Sequence, residues 1–440
     1  MIFSFDNFLD YMNLQRYLTV IISITTTIPL YFLCKVFVEK RYAIIACVLF
    51  AFNPRIIENS ILGITEPLYI LSITLMLYTF FQYGKNYPYI TFSIIGIISI
   101  IRYEGLLLFV PISLLYFYKF KFSKKTILKY FIAVTIFLLI IIPWGMMKTD
   151  LIGHDGLINN ISAGPKYYNT VASESQDPDA MISLFLITGF NTMLRFLVLV
   201  TLPLLTFLIP LGIYIMISKK ESSNFLILFC ITLTLLIPVF YAYSRSYQEV
   251  RYLLPIFPIF CLFSVYFIRR ITEKNKFEKL FLVLISILVI SSTVGFIEYK
   301  NNDDVNQTEA WEVTKEIAKL TNVVTYYSQA GHLDNTRILE VDEFPIMRKD
   351  LPPRMASIKT DNYETIEEYI SDNKKNGLEY VIVDRGDWRS KFLDDVFENE
   401  EKYPYLIKIF DSKDNGYKKY HAKIFKIDFE EFDKLKSIMS

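Results

Sequence analysis

Ten apolar runs follow one another along the first two thirds of the chain, at approximately 17–38, 42–53, 65–83, 89–101, 105–118, 127–147, 192–217, 224–242, 252–269 and 280–298. A hydrocarbon layer of ~30 Å takes roughly 20 helical residues to cross, so this succession predicts a multi-pass α-helical membrane segment. The runs 42–53, 89–101 and 105–118 are short and stop at Pro, Arg or Gly. Backbone that ends at membrane depth must be covered by protein. These three therefore predict half-buried helices whose outer ends stop below the headgroups and open a cavity on one side. Beyond Tyr299 the pattern changes. Glu309–Lys319 is amphipathic, Val323–Tyr327 is a short apolar strand, and Tyr363–Asn376 is a helix stopped by Gly377. The β-branched run Tyr380-Val381-Ile382-Val383-Asp384 predicts a buried strand, and Ile407–Asp411 and Ala422–Ile427 two more, with Asn415-Gly416 in the turn region between them. The reading is a residual external segment (1–16), a membrane domain (17–299) and a C-terminal soluble α/β domain (300–440).

Composition agrees: 53% hydrophobic residues against 21% charged is too apolar for one ordinary soluble domain. The formal charge of +1 hides an asymmetry. Residues 1–299 hold 24 Lys/Arg and 16 Asp/Glu (+8), and 300–440 hold 22 and 29 (−7). No strongly basic soluble domain is left to track a nucleic-acid backbone, which excludes that class of partner. Cys34, Cys47, Cys230 and Cys261 all lie inside apolar runs, where free cysteine packs as a small hydrophobe, so no disulfide framework or zinc cluster is expected.

Lys and Arg beside membrane helices are retained in the cytoplasm, and here they separate by alternate loops. Lys40, Arg41, Lys85, Lys119, Lys121, Lys124, Lys125, Lys129, Lys219, Lys220, Arg269, Arg270, Lys274, Lys276 and Lys279 fall on one face. The other face collects Glu58, Glu66, Glu104, Asp150, Asp155, Glu174, Asp177, Asp179 and Glu249. The acidic loops and the C-terminal domain are accordingly expected on the exterior of a cell membrane. Residues 1–16 would then be exterior as well, although Met1-Ile2-Phe3 is not a basic signal-peptide start.

Ionisable groups at membrane depth are costly and usually functional. Glu66, in Gly63-Ile64-Thr65-Glu66-Pro67-Leu68, has two readings: an acid in the first turn of a helix capped by Thr65, or a carboxylate lining the cavity. Arg102 and Glu104 interrupt an otherwise apolar stretch, either as an ion-paired turn or as a site where Arg102 receives an anionic headgroup or phosphate. Arg251, in Gln248-Glu249-Val250-Arg251-Tyr252-Leu253-Leu254-Pro255, stands at the outer mouth of a Pro-broken span. It meets a phosphate or sugar there, or snorkels to the headgroups. His154, in the 148–191 loop, is a weaker candidate.

In their order, Asn53-Pro54, Thr65-Glu66-Pro67-Leu68, Ile101-Arg102-Tyr103-Glu104-Gly105 and Arg251-Tyr252-Leu253-Leu254-Pro255 resemble the GT-C membrane glycosyltransferases over about residues 10–300. The branch in question includes the dolichyl-phosphate-mannose protein mannosyltransferases and the bacterial lipid-A aminoarabinose transferases. The resemblance implies a polyprenyl-phosphate-linked sugar as donor, with a protein, lipid or glycan acceptor at the outer face. It implies a principal catalytic Asp or Glu in the first external loop. This chain begins at or beyond that point, so Asp6 and Asp10 are the candidates there, with Glu66 as a third. Arg102, Glu104, Glu249, Arg251 and Tyr252 are the candidates for binding the donor phosphate and substrate. Chemically, a carboxylate would deprotonate the acceptor hydroxyl while Arg251 or Arg102 neutralises the departing lipid phosphate. No soluble cofactor is required, and a divalent cation remains possible because some relatives use one and the acidic outer loops could hold it.

No nucleotide-cradling glycine loop, nucleophile elbow or metal-spaced His pair is present. Two rival classes stay open. A transporter should repeat paired broken helices in two related halves, and no such repetition is visible. A catalytically inactive scaffold of the same fold would account for the absent first loop but not for Glu66, Arg102 and Glu104 at one depth.

Overall fold

The structure is a computed structural model that describes residues 8–152, 178–201, 205–218, 222–245, 247, 249–273, 278–320, 325–328, 355–358, 363–376, 378–384 and 390–439. The chain forms two compact units, one being Leu9–Val294 and the other holding Gly295–Ser440.

The first unit is helical. Its elements are α1 (Phe8–Thr25), α2 (Thr27–Lys35), α3 (Lys40–Ala51), α4 (Pro54–Ser60), α5 (Glu66–Tyr83) and α6 (Pro88–Ile101), then a 3₁₀ turn at Tyr103–Leu108. There follow α7 (Phe109–Phe120), α8 (Lys124–Ile152), α9 (Pro178–Thr201), α10 (Leu205–Ser218) and α11 (Ser222–Ser244), a second 3₁₀ turn at Val250–Ile256, and α12 (Phe257–Thr272). The last helix, α13, is Glu278–Leu320. Among the described residues seven helices are long and apolar enough to cross a membrane, or eight if α3 and α4, bent by 58° to one another, are one broken span.

The bend has a local cause. Pro54 cannot continue α3 but suits the first position of a new helix. Asn53 caps that helix, its Oδ1 accepting from the backbone N–H of Arg55 at 2.9 Å and of Ile56 at 3.3 Å. The shortness of α6, 14 residues, also matches expectation, and Arg102 ends it in an extended conformation. Twelve of the 18 side chains of α5 are buried, so protein rather than lipid surrounds it. By contrast only 17% of the span Lys279–Glu298 is buried, and Leu280, Val283, Leu284 and Ile287 point outward as lipid-facing residues do.

Two expectations need correction. The run 192–217 is not one segment: α9 starts at Pro178 and ends at Thr201, and α10 starts at Leu205, with Pro203 between them in sequence. Residues 202–204 lie outside the described residues. The first helix starts at Phe8, inside the stretch expected to precede the membrane segment.

In the second unit five strands, β1 (Thr325–Ser328), β2 (Met355–Ile358), β3 (Leu378–Asp384), β4 (Leu406–Asp411) and β5 (Ala422–Ile427), form one sheet in the order β2-β1-β3-β5-β4. β1 pairs in parallel with β2 and β3, and β5 runs antiparallel to β3 and β4. The helices α14 (Ile366–Asn373), α15 (Lys391–Glu398) and α16 (Phe429–Met439) contribute Tyr369, Leu393, Val396 and Phe432 to a core with Val381, Val383 and Phe425. Gly416 takes φ +88° in the β4–β5 connection, a conformation that a side chain disfavours. Sequence reading found β1, β3, β4, β5 and α14. It did not find β2, α15 or α16, whose runs are short or strongly charged.

Within α15, Asp395 accepts from the Tyr403 hydroxyl at 2.5 Å, from Lys402 Nζ at 3.0 Å and from the Asn399 amide at 2.5 Å. Led by the tyrosine hydrogen bond, these donors hold its carboxyl down at about 2, against an ordinary 3.8. A depressed carboxyl stabilises the fold above the ordinary value and stops doing so as pH falls through the depressed one. The difference in apparent melting temperature between the protein and Asp395→Asn should therefore be largest above pH 5 and close as pH falls towards 2; a constant difference across that range would disprove the assignment.

Candidate functional site

Four of the sequence candidates converge where α5 begins, α6 ends and the second 3₁₀ turn passes. Arg102 is the hub. Its Nη1 donates to Glu66 Oε1 at 2.8 Å, its Nη2 to Glu104 Oε1 at 2.9 Å, and its Nε lies 3.4 Å from Glu104 Oε2. Its guanidinium carbon also stands 5.6 Å from the centre of the Tyr69 ring, in cation–π range. The side chains of Glu66, Glu104 and Arg102 are 5%, 13% and 21% exposed, so this is a largely desolvated pair of ion pairs rather than a surface bridge.

Local sequence builds this geometry. Glu66 is the first residue of α5, and Pro67 follows it at a position where a missing N–H costs nothing. Thr65, expected to cap the helix, makes no side-chain capping hydrogen bond and has helical φ and ψ. Glu66 is thus fixed by Arg102 and not by a capping role. Gly105 lets the turn lie on the end of α6: a Cβ there would stand 2.6 Å from Ile98 Cγ2 and 2.8 Å from the Ser99 backbone nitrogen.

Arg251 approaches from the second 3₁₀ turn and is held quite differently. Its Nε is 3.9 Å from Glu66 Oε1 and 3.6 Å from Glu249 Oε2, and the buried Nε has no hydrogen bond among the described residues. The guanidinium carbon sits 5.7 Å from the Tyr252 ring centre, and Tyr252 in turn packs 6.2 Å from Tyr243. Tyr243 donates its hydroxyl hydrogen to the Glu249 carbonyl at 2.9 Å, which ties down the start of the turn. Three carboxylates and two guanidiniums leave the cluster one negative charge before any other group is counted.

Beside Arg102 lies a cavity of about 280 Å³ lined by Ser99, Ile100, Ile101, Arg102, Tyr103, Glu104, Trp144 and Lys148. Sequence reading missed Trp144 and Lys148. The available signal was Lys148 itself, a lysine at the acidic end of an apolar run.

The remaining candidates are not placed with the cluster. Asp6 and His154 lie outside the described residues, and Asp10 falls in α1 with its side chain outside them. Among the described residues no three His, Cys, Asp or Glu side chains are grouped as cation ligands. The acidic stretch holding Asp155, Glu174 and Asp177 lies outside the described residues.

This multi-pass helical bundle, with short helices ending in an ionic cluster, has the fold of the GT-C membrane proteins. The oligosaccharyltransferase of Archaeoglobus fulgidus, solved with a tethered acceptor peptide containing the NVT sequon, superposes with a TM-score of 0.50 at 15% identity, over 84% of this chain and 57% of that one. The chain therefore spans little more than half the length of that protein. ArnT from Cupriavidus metallidurans in the apo state aligns at TM-score 0.43 and 9% identity, over 94% of this chain and 83% of that one. No curated protein sequence is matched. The sequence profile of the Alg9-like mannosyltransferase family matches residues 11–328, and the chain belongs to that family.

Removing one partner from a buried ion pair leaves a charge uncompensated, at a cost of about 3–5 kcal/mol. Glu66→Ala should therefore destabilise the protein by about 3 kcal/mol in detergent, the lower end because Glu104 still contacts Arg102. Glu249 is 52% exposed and only loosely paired, so Glu249→Ala should change stability by less than about 1 kcal/mol. Equal losses in the two thermal melts would contradict the hub arrangement.

Proposed function

We propose that the protein is a membrane glycosyltransferase that moves a sugar from a polyprenyl-phosphate donor to an acceptor at the outer face, and that Arg251 receives the donor phosphate. Membership of the Alg9-like mannosyltransferase family supports the reaction class and makes mannose the sugar to test first.

The contrast between the two arginines carries the assignment of roles. Arg102 is engaged by two carboxylates at 2.8 and 2.9 Å. Arg251 has no hydrogen bond among the described residues, and its carboxylate neighbours stand at 3.6 and 3.9 Å. A phosphate oxygen can dock on Arg251 without breaking a strong bond, whereas docking on Arg102 would mean displacing a carboxylate. Arg102 is then a positioning residue that fixes Glu66 and Glu104 beside the phosphate site. The guanidinium fork suits a phosphate's oxygens, and Tyr252 lies near its plane.

In the reaction the acceptor oxygen forms a bond to the anomeric carbon. The bond from that carbon to the phosphate oxygen breaks, its electron pair leaving with the lipid phosphate. The acceptor proton passes to a carboxylate, for which Asp6, Asp10 and Glu66 are the candidates. Arg251 stabilises the charge that develops on the leaving phosphate. No step needs a soluble cofactor, and a divalent cation held by the acidic outer loops is compatible with it.

The acidic loops and residues 300–440 belong on the exterior in this reading, where a lipid-borne donor replaces cytoplasmic nucleotide sugars. A cysteine at exposed Asp414 should react with an impermeant maleimide in intact cells, while one at exposed Ser123 should not; the reverse pattern inverts the orientation.

Transfer from labelled polyprenyl-phosphate mannose to endogenous acceptors in membrane vesicles tests the role of Arg251. Arg251→Ala should reduce it by roughly 10²–10³, the scale for removing one preorganised donor to a developing anion. Arg251→Lys should recover only part, because a point charge lacks the planar fork. Undiminished transfer in Arg251→Ala would leave Arg251 a headgroup anchor.

A further inference from the structure

The cavity on the α8 side of the 102–104 turn holds a charge that the proposed reaction leaves unused. Of its ionic lining residues, Arg102 and Glu104 are bound to each other. Lys148 is not: it makes no hydrogen bond or ion pair among the described residues. Trp144 stands one helical turn away on the same face of α8, since positions i and i+4 are neighbours. The cavity thus combines an ammonium that is unpaired among the described residues, an amphipathic ring, and the hydroxyl-bearing side chains Ser99 and Tyr103.

Its depth narrows the ligand. Lys148 is 24 residues beyond Lys124 in one helix, which is about 36 Å along the axis. The hydrocarbon layer is ~30 Å thick. With Lys124 at one headgroup layer, Lys148 therefore lies at the other, level with lipid phosphates. A lysine there with no carboxylate partner among the described residues is suited to an anion that arrives along the membrane surface. Arg251 does not line this cavity, and the Arg102–Glu104 pair forms part of its wall.

We propose that Lys148 and Trp144 form a phosphate-ester subsite separate from that of Arg251. Lys148 binds the phosphate, and Trp144 packs on the sugar or glycerol attached to it. The phosphate ester comes either from a membrane lipid or from a water-soluble sugar phosphate. The subsite rests on the cavity alone, so it stands whether or not Arg251 serves the donor.

The full chain contains three tryptophans. With Trp311→Phe and Trp388→Phe, the emission of detergent-solubilised protein reports on Trp144. It is titrated in two arms, with dihexanoyl phosphatidylglycerol and with glucose 6-phosphate. A saturable change is expected in at least one arm, and the responding arm identifies the source. Lys148→Ala should raise the half-saturating concentration at least tenfold, and Lys148→Arg should stay within about threefold of the parent. Melting curves and size-exclusion profiles of each variant separate lost binding from lost folding, and Lys148→Arg supplies a folded comparison if Lys148→Ala is damaged. No saturable change in either arm, an equal response to methyl glucoside, or an unchanged midpoint in folded Lys148→Ala would overturn the proposal.

Discussion

The bond between Arg102 and Glu66 is the constraint on which the site depends. It joins the end of one short helix to the start of another across 36 positions of sequence, at 2.8 Å and largely out of water. Neither group could remain charged alone at this depth without a penalty of several kcal/mol. Each therefore requires the other, and Glu104 completes the charge balance on the second edge of the guanidinium. The two ends of this bridge fix where α5 begins and where α6 stops. The 3₁₀ turn that carries Glu104 fits against α6 only because Gly105 brings no side chain between them.

From that bridge the difference between the arginines follows. Glu66 presents one oxygen, Oε1, to both guanidiniums, at 2.8 Å to Arg102 and 3.9 Å to Arg251. Arg102 has taken the short bond and its second edge is filled by Glu104. Arg251 is left with a half-exposed carboxylate on its own turn and the ring of Tyr252. One cation is structural because it is saturated, and the other is available because its partners are too far away to saturate it.

The sequence made most of this legible, and the failures have physical causes. Glu66, Arg102, Glu104 and Arg251 stood out because charge inside apolar runs is expensive, and the same expense drives them together in space. Asn53-Pro54 announced the break between α3 and α4 through capping chemistry that acts within three residues. Thr65 looked like an equally good cap but makes no such bond, since tertiary pairing of Glu66 with Arg102 settles the helix start instead. Trp144 and Lys148 went unseen because the cavity is made by packing α8 against the end of α6, which lies 43 and 47 residues before them in sequence, and neither residue belongs to a motif.

An unsaturated guanidinium weakens the fold, because its buried Nε forgoes a hydrogen bond to a charged group worth about 1.5–3 kcal/mol. Moving Glu249 within bonding distance would recover that energy with little disturbance to the fold, since the carboxylate is already on the same turn at 3.6 Å. Such an arrangement would also neutralise the cation and leave a phosphate nothing to displace but a covalently tethered competitor. On the proposed role of Arg251, a phosphate oxygen would supply the hydrogen bond that Glu249, at 3.6 Å, does not. The same reasoning applies to Lys148, whose ammonium has no hydrogen-bond or ion-pair partner among the described residues where Arg102 has two carboxylates. Arg102, saturated by two carboxylates, pins the turn, whereas the buried Nε of Arg251 has no hydrogen bond among the described residues.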